Sequence, residues 1–292
     1  MRTFSEFNPI VITVYFFSVT GIAMFSSHPL LMASALFGGI LYFVVRNGRS
    51  HLRSHLFFLI LFLILAIANP LMSHNGATVL FVMNDNPITL EALLYGLNSA
   101  AMIIGVLYWF RSFTQIMTSE KLLYVTGSVS PKLSLILSMS LRFVPLFNSQ
   151  SKKVRASQTT MGLFKDDNII DDARGRMRIF SILVTWALEN GIITADSMSA
   201  RGYGVCRRSQ LKRFGFRSSD LAVLIVDALL LGLTVWAVAA GSLDLSFYPT
   251  VSFEAPDTLG ICGIAAYMLL VLLPVIIDLE VYFHWRYLRS KI

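Results

Sequence analysis

The sequence predicts an all-α, polytopic membrane protein with about six transmembrane helices and long cytoplasmic helices. Two observations predict this fold class. Hydrophobic residues make up 55% of the 292-residue chain and charged residues only 14%, whereas a soluble domain carries about 25% charged residues. Several nearly uncharged segments also approach the ~20 residues that a helix needs to cross the hydrocarbon core of a bilayer.

The predicted spans fall into two groups, on either side of a long cytoplasmic insertion. The sequence therefore divides into a membrane domain with four spans at 1–110, a cytoplasmic region at 111–218 and a membrane domain with two spans at 219–292. The second and third spans are short. The six predicted spans are Phe7–Met24, Leu30–Val45, His55–Ala68, Ile88–Phe110, Leu221–Gly241 and Leu259–Phe283.

The basic residues predict the orientation of the chain. Of the 24 Lys and Arg residues, 17 lie between Arg111 and Arg217, and the other seven are near the termini or between the second and third spans. All of them fall on one predicted side. Because Lys and Arg favour cytoplasmic loops, we expect a multi-pass protein of the cell membrane with both termini in the cytoplasm. Anionic headgroups of the lipid bilayer, rather than nucleic acid, are the expected partner of this charge, at about 1 kcal/mol per basic residue.

The cytoplasmic region contains two runs that predict helices lying under the membrane. Pro131–Phe147 is apolar and begins with a proline, which suits the first position of a helix. Pro145 is expected to kink or break this helix. Lys165–Arg178 is charged and predicts an exposed connection, and Ile179–Ala200 has apolar residues at helical spacing. Each predicted helix ends in a polar tip.

No pattern typical of an enzyme is present, and neither a cofactor nor a metal site is predicted. The sequence has no phosphate-binding loop and no HExxH motif. His51 and His55 share a helix face but have no third ligand nearby. Asp227, Asp278 and Glu280 are ionisable residues within spans, yet each lies near the cytoplasmic end, where a structural role is expected.

Two motifs in the cytoplasmic region resemble a known family. LRFVPLFNSQSKKVRASQ occupies Leu141–Gln158, and ADSMSARGYG follows at 195–204. Together they resemble the transmembrane T component of energy-coupling factor transporters, a family that includes the cobalt and biotin transporter permeases. The resemblance covers the cytoplasmic region closely and the spans only by number and placement.

This resemblance implies a scaffold that is not itself an enzyme. It has two cytoplasmic coupling helices, and the tip of each binds one of two ABC ATPase subunits. The scaffold transmits their ATP-driven motion to a substrate-binding membrane subunit, the S component, for uptake of a vitamin or a metal ion. The implied site residues are Ala200, Arg201 and Gly202 at the second tip, Thr160, Met161 and Gly162 at the first tip, and Arg142 and Pro145, which position the first coupling helix.

The first tip departs from the family pattern, because Met161 stands where an arginine is expected. One ATPase is therefore expected to be held by charge and the other mainly by apolar contact, with Lys165 as a helper. A second Ala-Arg-Gly triplet at 173–175 lies in the predicted charged connection, and we interpret it as a chance match.

Three alternatives remain at the level of sequence. A stand-alone secondary transporter predicts ionisable residues at the bilayer midplane and repeated halves, and a membrane-bound enzyme predicts a cluster of His, Asp or Cys at the interface. Neither pattern is found. Arg201 followed by glycine is also compatible with an ordinary capped helix end.

Overall fold

The structure, a computed structural model, describes residues 2–48, 52–72, 76–83, 86–163, 169–205, 214–243, 245, 247 and 256–290. Within these ranges the chain is almost entirely helical, with a short 3-10 helix at Phe4–Glu6 and one β-hairpin. The predicted fold class, a helical polytopic membrane protein, is confirmed. The helices are α1 (Pro9–Phe25), α2 (Pro29–Asn47), α3 (Leu52–Met72), α4 (Leu90–Ile116), α5 (Ser119–Val129), α6 (Pro131–Thr160), α7 (Ile169–Ala200), α8 (Ser218–Ala239) and α9 (Thr258–Arg289).

Six helices in the described ranges, α2, α3, α4, α7, α8 and α9, are long and apolar enough to cross a membrane. Five of them correspond to predicted spans. The first predicted span is α1, whose 17 residues give a length of about 25 Å, at the short limit for a spanning helix. The sequence predicts α7 as a cytoplasmic helix, yet α7 reaches the length and hydropathy of a span while carrying exposed Glu189 and Asp196.

The helices form two compact units. The first, here called the membrane unit, comprises residues 1–122 and 214–292. The second, here called the insertion unit, comprises residues 123–213 and contains α6 and α7. It lies within the segment 111–218 that the sequence sets apart by its charge.

In the membrane unit, α2 packs against both α4 and α9. Gly38 of α2 faces α9, and a Cβ at this position would overlap Val271, so only glycine allows the two backbones to approach this closely. Tyr42 of α2 stacks on Trp109 of α4, with ring centroids 5.9 Å apart. Trp109 Nε1 donates a hydrogen bond to the Ala35 carbonyl at 2.9 Å. Stacked aromatic rings and this hydrogen bond therefore join α2 to α4.

A short β-hairpin interrupts the predicted loop between the third and fourth spans. Strand β1 (Val79–Met83) pairs antiparallel with β2 (Asn86–Thr89). Thr89 then caps α4, because its side-chain oxygen accepts a hydrogen bond from the Ala92 amide at 3.3 Å. The hairpin thus fixes the start of α4.

The N-terminal segment ties α8 and α9 together at one end of the membrane unit. Asp278 of α9 accepts a hydrogen bond from the Phe4 amide at 2.7 Å. Asp220 of α8 accepts one from the Asn8 amide at 3.1 Å. Phe4 is completely buried, so the carboxylates satisfy amides that lie away from water.

Lys121, in α5, makes hydrogen bonds at the same end of the membrane unit. Its Nζ donates to the carbonyl of Ser5 at 2.6 Å and to the carbonyl of Ile116 at 3.1 Å. Burial lowers the pKa of Lys121, the nearby charge of Arg46 lowers it further, and Glu6 opposes both effects. The ammonium group therefore connects the N-terminal segment to the end of α4.

The three acidic residues predicted within spans serve the packing or lie exposed. Asp227 of α8 is buried, and its Oδ2 accepts a hydrogen bond from Ser18 Oγ at 3.1 Å. Asp278 holds the Phe4 amide. Glu280 is exposed on α9. Two of the three therefore make hydrogen bonds between elements, although Asp227 Oδ1 is buried without a hydrogen-bond partner in the described residues.

Candidate functional site

The first helix of the candidate site is continuous. α6 begins with Pro131 at its first position and runs to Thr160 with Pro145 inside it, so of the two expected effects of Pro145, a kink or a break, the break does not occur. Proline removes only the hydrogen bond to the carbonyl four residues earlier, that of Leu141. Leu141 and Pro145 are both exposed, which lets solvent take the place of the missing donor.

The second helix starts earlier than predicted. α7 begins at Ile169, so part of the predicted charged connection is helical. Two ion pairs support this first segment: Arg174–Asp171 at 3.6 Å and Arg176–Asp172 at 2.7 Å. Spacings of three and four residues bring such side chains together on a helix, and acidic residues are favoured in a first turn. The Ala-Arg-Gly triplet at 173–175 therefore lies inside a helix, not at its end.

The tip of α6 is a glycine-terminated cap. Gly162 has a φ of +67°, the left-handed conformation that favours glycine. Its amide donates to the Thr159 carbonyl at 3.0 Å, and the Leu163 amide donates to the Gln158 carbonyl at 3.0 Å. These two bonds define a Schellman motif, in which Met161 is the C-cap residue.

The tip of α7 has the same cap. Gly202 has a φ of +77°, its amide donates to the Ser199 carbonyl at 3.0 Å, and the Tyr203 amide donates to the Met198 carbonyl at 3.0 Å. Arg201 therefore occupies the position that Met161 occupies in α6. Both side chains are exposed. The backbone of the two tips is equivalent, and their C-cap side chains differ in charge.

The contacts between α6 and α7 show that the two helices run antiparallel. Phe147 of α6 meets Trp186 of α7 with ring centroids 5.7 Å apart. Arg142, which precedes Phe147, shares a cavity with Arg201, which follows Trp186. The Arg201 tip and the Met161 tip consequently lie on opposite sides of the Phe147–Trp186 contact.

The cavity beside Arg201 has a volume of about 360 Å³. Its polar lining residues are two arginines, Arg142 and Arg201, and two residues with hydroxyl groups, Thr194 and Ser197. Its apolar walls come from both helices: Met139, Phe143, Ile193 and Met198. This arrangement can bind an anion, because guanidinium groups offer paired donors to carboxylates and phosphates.

The structure brings some of the predicted site residues together and separates others. Arg142 lies beside the α7 tip, and it is therefore far along α6 from the Met161 tip. Ala200 and Thr160 are exposed next to their caps, and the Thr160 hydroxyl donates to the Ala156 carbonyl at 2.9 Å. Lys165 lies outside the described residues. The binding and positioning roles of all these residues stay predictions.

Sequence reasoning missed the cavity itself. Thr194 and Ser197 stand seven and four residues before Arg201, on the face of α7 that also carries Arg201. That spacing was visible in the sequence. Their meeting with Arg142 depends on the register between α6 and α7, which no local pattern reveals.

The insertion unit also exposes many apolar side chains. A soluble monomer rarely exposes a large contiguous apolar patch, so this surface is suited to contact with lipid or with an apolar partner. The exposed residues are Leu133, Ile136, Leu137, Leu141, Val144 and Leu146 on α6 and Phe180, Ile182, Val184, Leu188, Ile192 and Ile193 on α7.

Metal-binding geometry is not found in the part of the chain that the structure describes. No group of three or more His, Cys, Asp or Glu residues there is placed to hold an ion. His55 Nδ1 lies 3.0 Å from the Tyr108 hydroxyl and forms a hydrogen bond with it. His51, its neighbour in sequence, lies outside the described residues.

Comparison with known proteins gives two relatives with the same description. The chain is 31% identical over 104 residues to the energy-coupling factor transporter transmembrane protein EcfT of Lactobacillus helveticus, which is 35% of this chain and 38% of that protein. It is 31% identical over 107 residues to the protein of that name from Listeria innocua, which is 36% of this chain and 40% of that protein. No family model matches.

The chain spans about two fifths of the length of the curated relatives that it matches. Both relatives agree with the resemblance that the two motifs of the insertion predict. That resemblance is confirmed: over about a third of its length, this chain is similar to the transmembrane T component of energy-coupling factor transporters.

Proposed function

We propose that this protein is the transmembrane coupling subunit of an energy-coupling factor importer. It holds two ABC ATPase subunits at the tips of α6 and α7 and transmits their motion to a substrate-binding S component. The chain itself hydrolyses no ATP, and its partners take up a vitamin or a metal ion. The observation that carries this proposal is the identical cap geometry of two exposed helix tips in a chain similar to the EcfT proteins.

Arg201 makes the charged contact in this proposal. The guanidinium group stays protonated and presents a rigid fork of donors that fits a carboxylate. Gly202 turns the chain away immediately after it, so a groove on a partner can receive the arginine without meeting a continuing helix. Met161 presents an apolar side chain, 70% exposed, from the equivalent position. The two ATPases are accordingly bound by different forces.

The exposed apolar surface of α6 and α7 is the proposed contact with the S component. A membrane subunit presents apolar helices, and burial of apolar area stabilises its association with a matching surface. When the ATPases close on nucleotide, movement of the two tips displaces this surface and with it the bound subunit.

The proposed orientation is supported by the basic residues at one end of the membrane unit. Helix ends that carry basic residues are brought together there, as the hydrogen bond of 3.1 Å between Arg111 Nη2 and Ser54 Oγ illustrates. Because basic residues favour the cytoplasmic side, we place this end, both termini and the insertion unit in the cytoplasm.

Purification of the full chain with co-expressed ATPase subunits tests the proposal. We expect two ATPase chains to be retained by the wild type and lost from Arg201→Ala, because truncation of one member of a buried charge pair costs about 2–5 kcal/mol. The matched control is Arg174→Ala, in the second Ala-Arg-Gly triplet, where the arginine pairs with Asp171 inside α7. The proposal fails if the wild type retains no ATPase or if Arg201→Ala binds as well as Arg174→Ala.

A further inference from the structure

We propose that the cavity between Arg142 and Arg201 is a carboxylate-binding site whose occupant is one acidic side chain of an ATPase subunit. This inference rests on the proposed function and deepens it. It moves Arg142 from a residue that positions α6 to a residue that binds the partner at the tip of α7.

The charge of the cavity is uncompensated within the described part of the chain. The two ion pairs found there, Arg174–Asp171 and Arg176–Asp172, lie in the first turns of α7. Neither Arg142 nor Arg201 forms an ion pair with a described carboxylate. Two like charges that line one concave surface repel each other and focus a positive potential on the space between them. An anion placed there relieves the repulsion and accepts donors from both guanidinium groups.

The position of the cavity explains why two arginines are needed. The C-terminus of a helix carries a partial charge of roughly −0.5, which disfavours anions. Arg201 stands at the C-cap of α7 and offsets this charge, so that roughly half of its own positive charge remains for an anion. Arg142 comes from the other helix and supplies the additional positive charge.

The lining also fits an acidic side chain in shape and polarity. Ser197 provides a hydroxyl group, the Thr194 hydroxyl donates to the Asn190 carbonyl at 2.6 Å, and the remaining walls are apolar. The methylene groups of a Glu or Asp side chain can contact Phe143 and Met198 while the carboxylate faces the guanidinium groups. A volume of about 360 Å³ accommodates such a side chain together with a few waters.

An anionic lipid headgroup carries the same charge. Headgroups are attracted by any of the basic residues between Arg111 and Arg217, and they need no pair of arginines from two helices. The pairing of Arg142 with Arg201 favours a protein carboxylate over a lipid headgroup, because a protein holds its carboxylate in one geometry. The experiment below distinguishes binding of a lipid headgroup from binding of an ATPase side chain.

The test measures ATPase binding to the full-length chain in nanodiscs of phosphatidylcholine. The variants are Arg142→Ala, Arg201→Ala and the double variant, with Lys152→Ala as a control, because Lys152 is exposed on α6 and does not line the cavity. We expect each arginine variant to weaken binding by about thirtyfold or more. We expect the double variant to be little weaker than the worse single variant, since both arginines serve one carboxylate. Lys152→Ala is expected to change binding less than about threefold.

The outcomes separate this inference from the proposed function. If Arg201→Ala loses binding and Arg142→Ala keeps it, the inference is overturned and the proposed function stands. Additive losses in the double variant also overturn it, because they indicate two separate contacts. If neither single variant loses binding, both the proposed function and this inference are overturned.

Two further measurements exclude misfolding and lipid binding as explanations of the result. Arg142→Lys keeps the positive charge but lacks the forked donors of the guanidinium group. An ATPase affinity between that of the wild type and that of Arg142→Ala supports the site. It also excludes misfolding as the cause of the loss in Arg142→Ala. Binding to vesicles with added phosphatidylglycerol addresses the lipid. If Arg142→Ala weakens only the vesicle interaction and leaves ATPase binding unchanged, the cavity holds a headgroup and the inference is overturned.

Discussion

The hydroxyl of Tyr15 donates a hydrogen bond at 2.9 Å to the carbonyl of Leu270. Leu270 lies four residues before Pro274, and proline has no amide hydrogen with which to complete the helical bond to that carbonyl. A side chain of α1 therefore supplies the donor that α9 lacks. The proline in α9 and the tyrosine in α1 form one structural unit, although 259 positions separate Tyr15 and Pro274.

We expect Tyr15→Phe to destabilise the membrane unit by about 1 kcal/mol, the usual range for a side-chain hydrogen bond between membrane helices. Tyr267→Phe is the matched control. Tyr267 donates to the Val19 carbonyl at 3.0 Å, and that carbonyl also has the Ala23 amide of its own helix, so the loss should be smaller. Thermal unfolding in detergent measures both.

The double variant Tyr15→Phe/Pro274→Ala makes this prediction specific. Alanine restores the amide at position 274, and the effect of Tyr15→Phe should then shrink. An equal effect of Tyr15→Phe in both backgrounds would show that the hydroxyl does not compensate for the proline.

Gly202→Ala is expected to destabilise the tip of α7 by about 1 kcal/mol, because its φ of +77° is unfavourable for a residue with a Cβ. Gly191→Ala is the control in the same helix. It lies in the helix interior with nothing within 4 Å of an added Cβ, so alanine should stabilise α7 by about 0.5–1 kcal/mol. Hydrogen exchange of the α7 amides reports both changes, and a stabilised Gly202→Ala tip would contradict the left-handed cap.

Met161→Arg is expected to add a charged contact at the tip of α6. We expect ATPase binding to tighten by up to about tenfold and to become more sensitive to salt. Leu163→Arg adds the same charge two residues later, beyond the C-cap, and should not reproduce the gain. Binding measured at low and high ionic strength distinguishes them. Equal effects of the two variants would show that only net charge matters.

Lys121 gives a pH-dependent prediction. Burial lowers its pKa in the folded protein below the ordinary value of 10.5, so the unfolded chain binds more protons in the interval between the two pKa values. The contribution of Lys121 to the free energy of unfolding therefore rises as the pH increases towards 10.5. The difference in melting temperature between wild type and Lys121→Met should shift in favour of the wild type from pH 8 to pH 10. A constant difference would contradict the lowered pKa.

The orientation is testable at the two ends of α9. In a background without Cys206 and Cys262, we expect a membrane-impermeant maleimide to label Asp257→Cys in intact cells. Ser290→Cys, after the basic end of the same helix, should react only when the cells are permeabilised. The reverse pattern would overturn the placement of both termini in the cytoplasm.

Composition and hydropathy were sufficient for the helical fold, because burial in lipid demands long apolar helices whatever their neighbours are. The β-hairpin was missed, since a strand as short as Val79–Met83 has no periodicity that separates it from a loop. The start of α7 was missed for another reason. Asp171 and Asp172 were interpreted as part of a solvated connection, although acidic residues followed by arginines at helical spacing also indicate the start of a helix.

The candidate site was predicted in part. The glycine after Arg201 indicated a helix end, the resemblance placed the other tip at 160–162, and the structure has left-handed glycines at both. The place of Arg142 beside Arg201 could not be predicted, because it depends on which turns of two antiparallel helices meet. That register is determined by side-chain packing such as the Phe147–Trp186 contact, which lies between residues distant in sequence.

In the proposed function, the Phe147–Trp186 contact divides α6 and α7 into two arms, each of which ends at one tip. Met161 follows Phe147 by 14 residues and Arg201 follows Trp186 by 15, so each arm is about 21–23 Å long. If the two helices pivot together about this contact, as the proposal requires, displacement of one tip is neither magnified nor reduced at the other. One extra helical turn inserted in a single arm would lengthen it by about 5 Å. The displacements of the two tips would then be unequal.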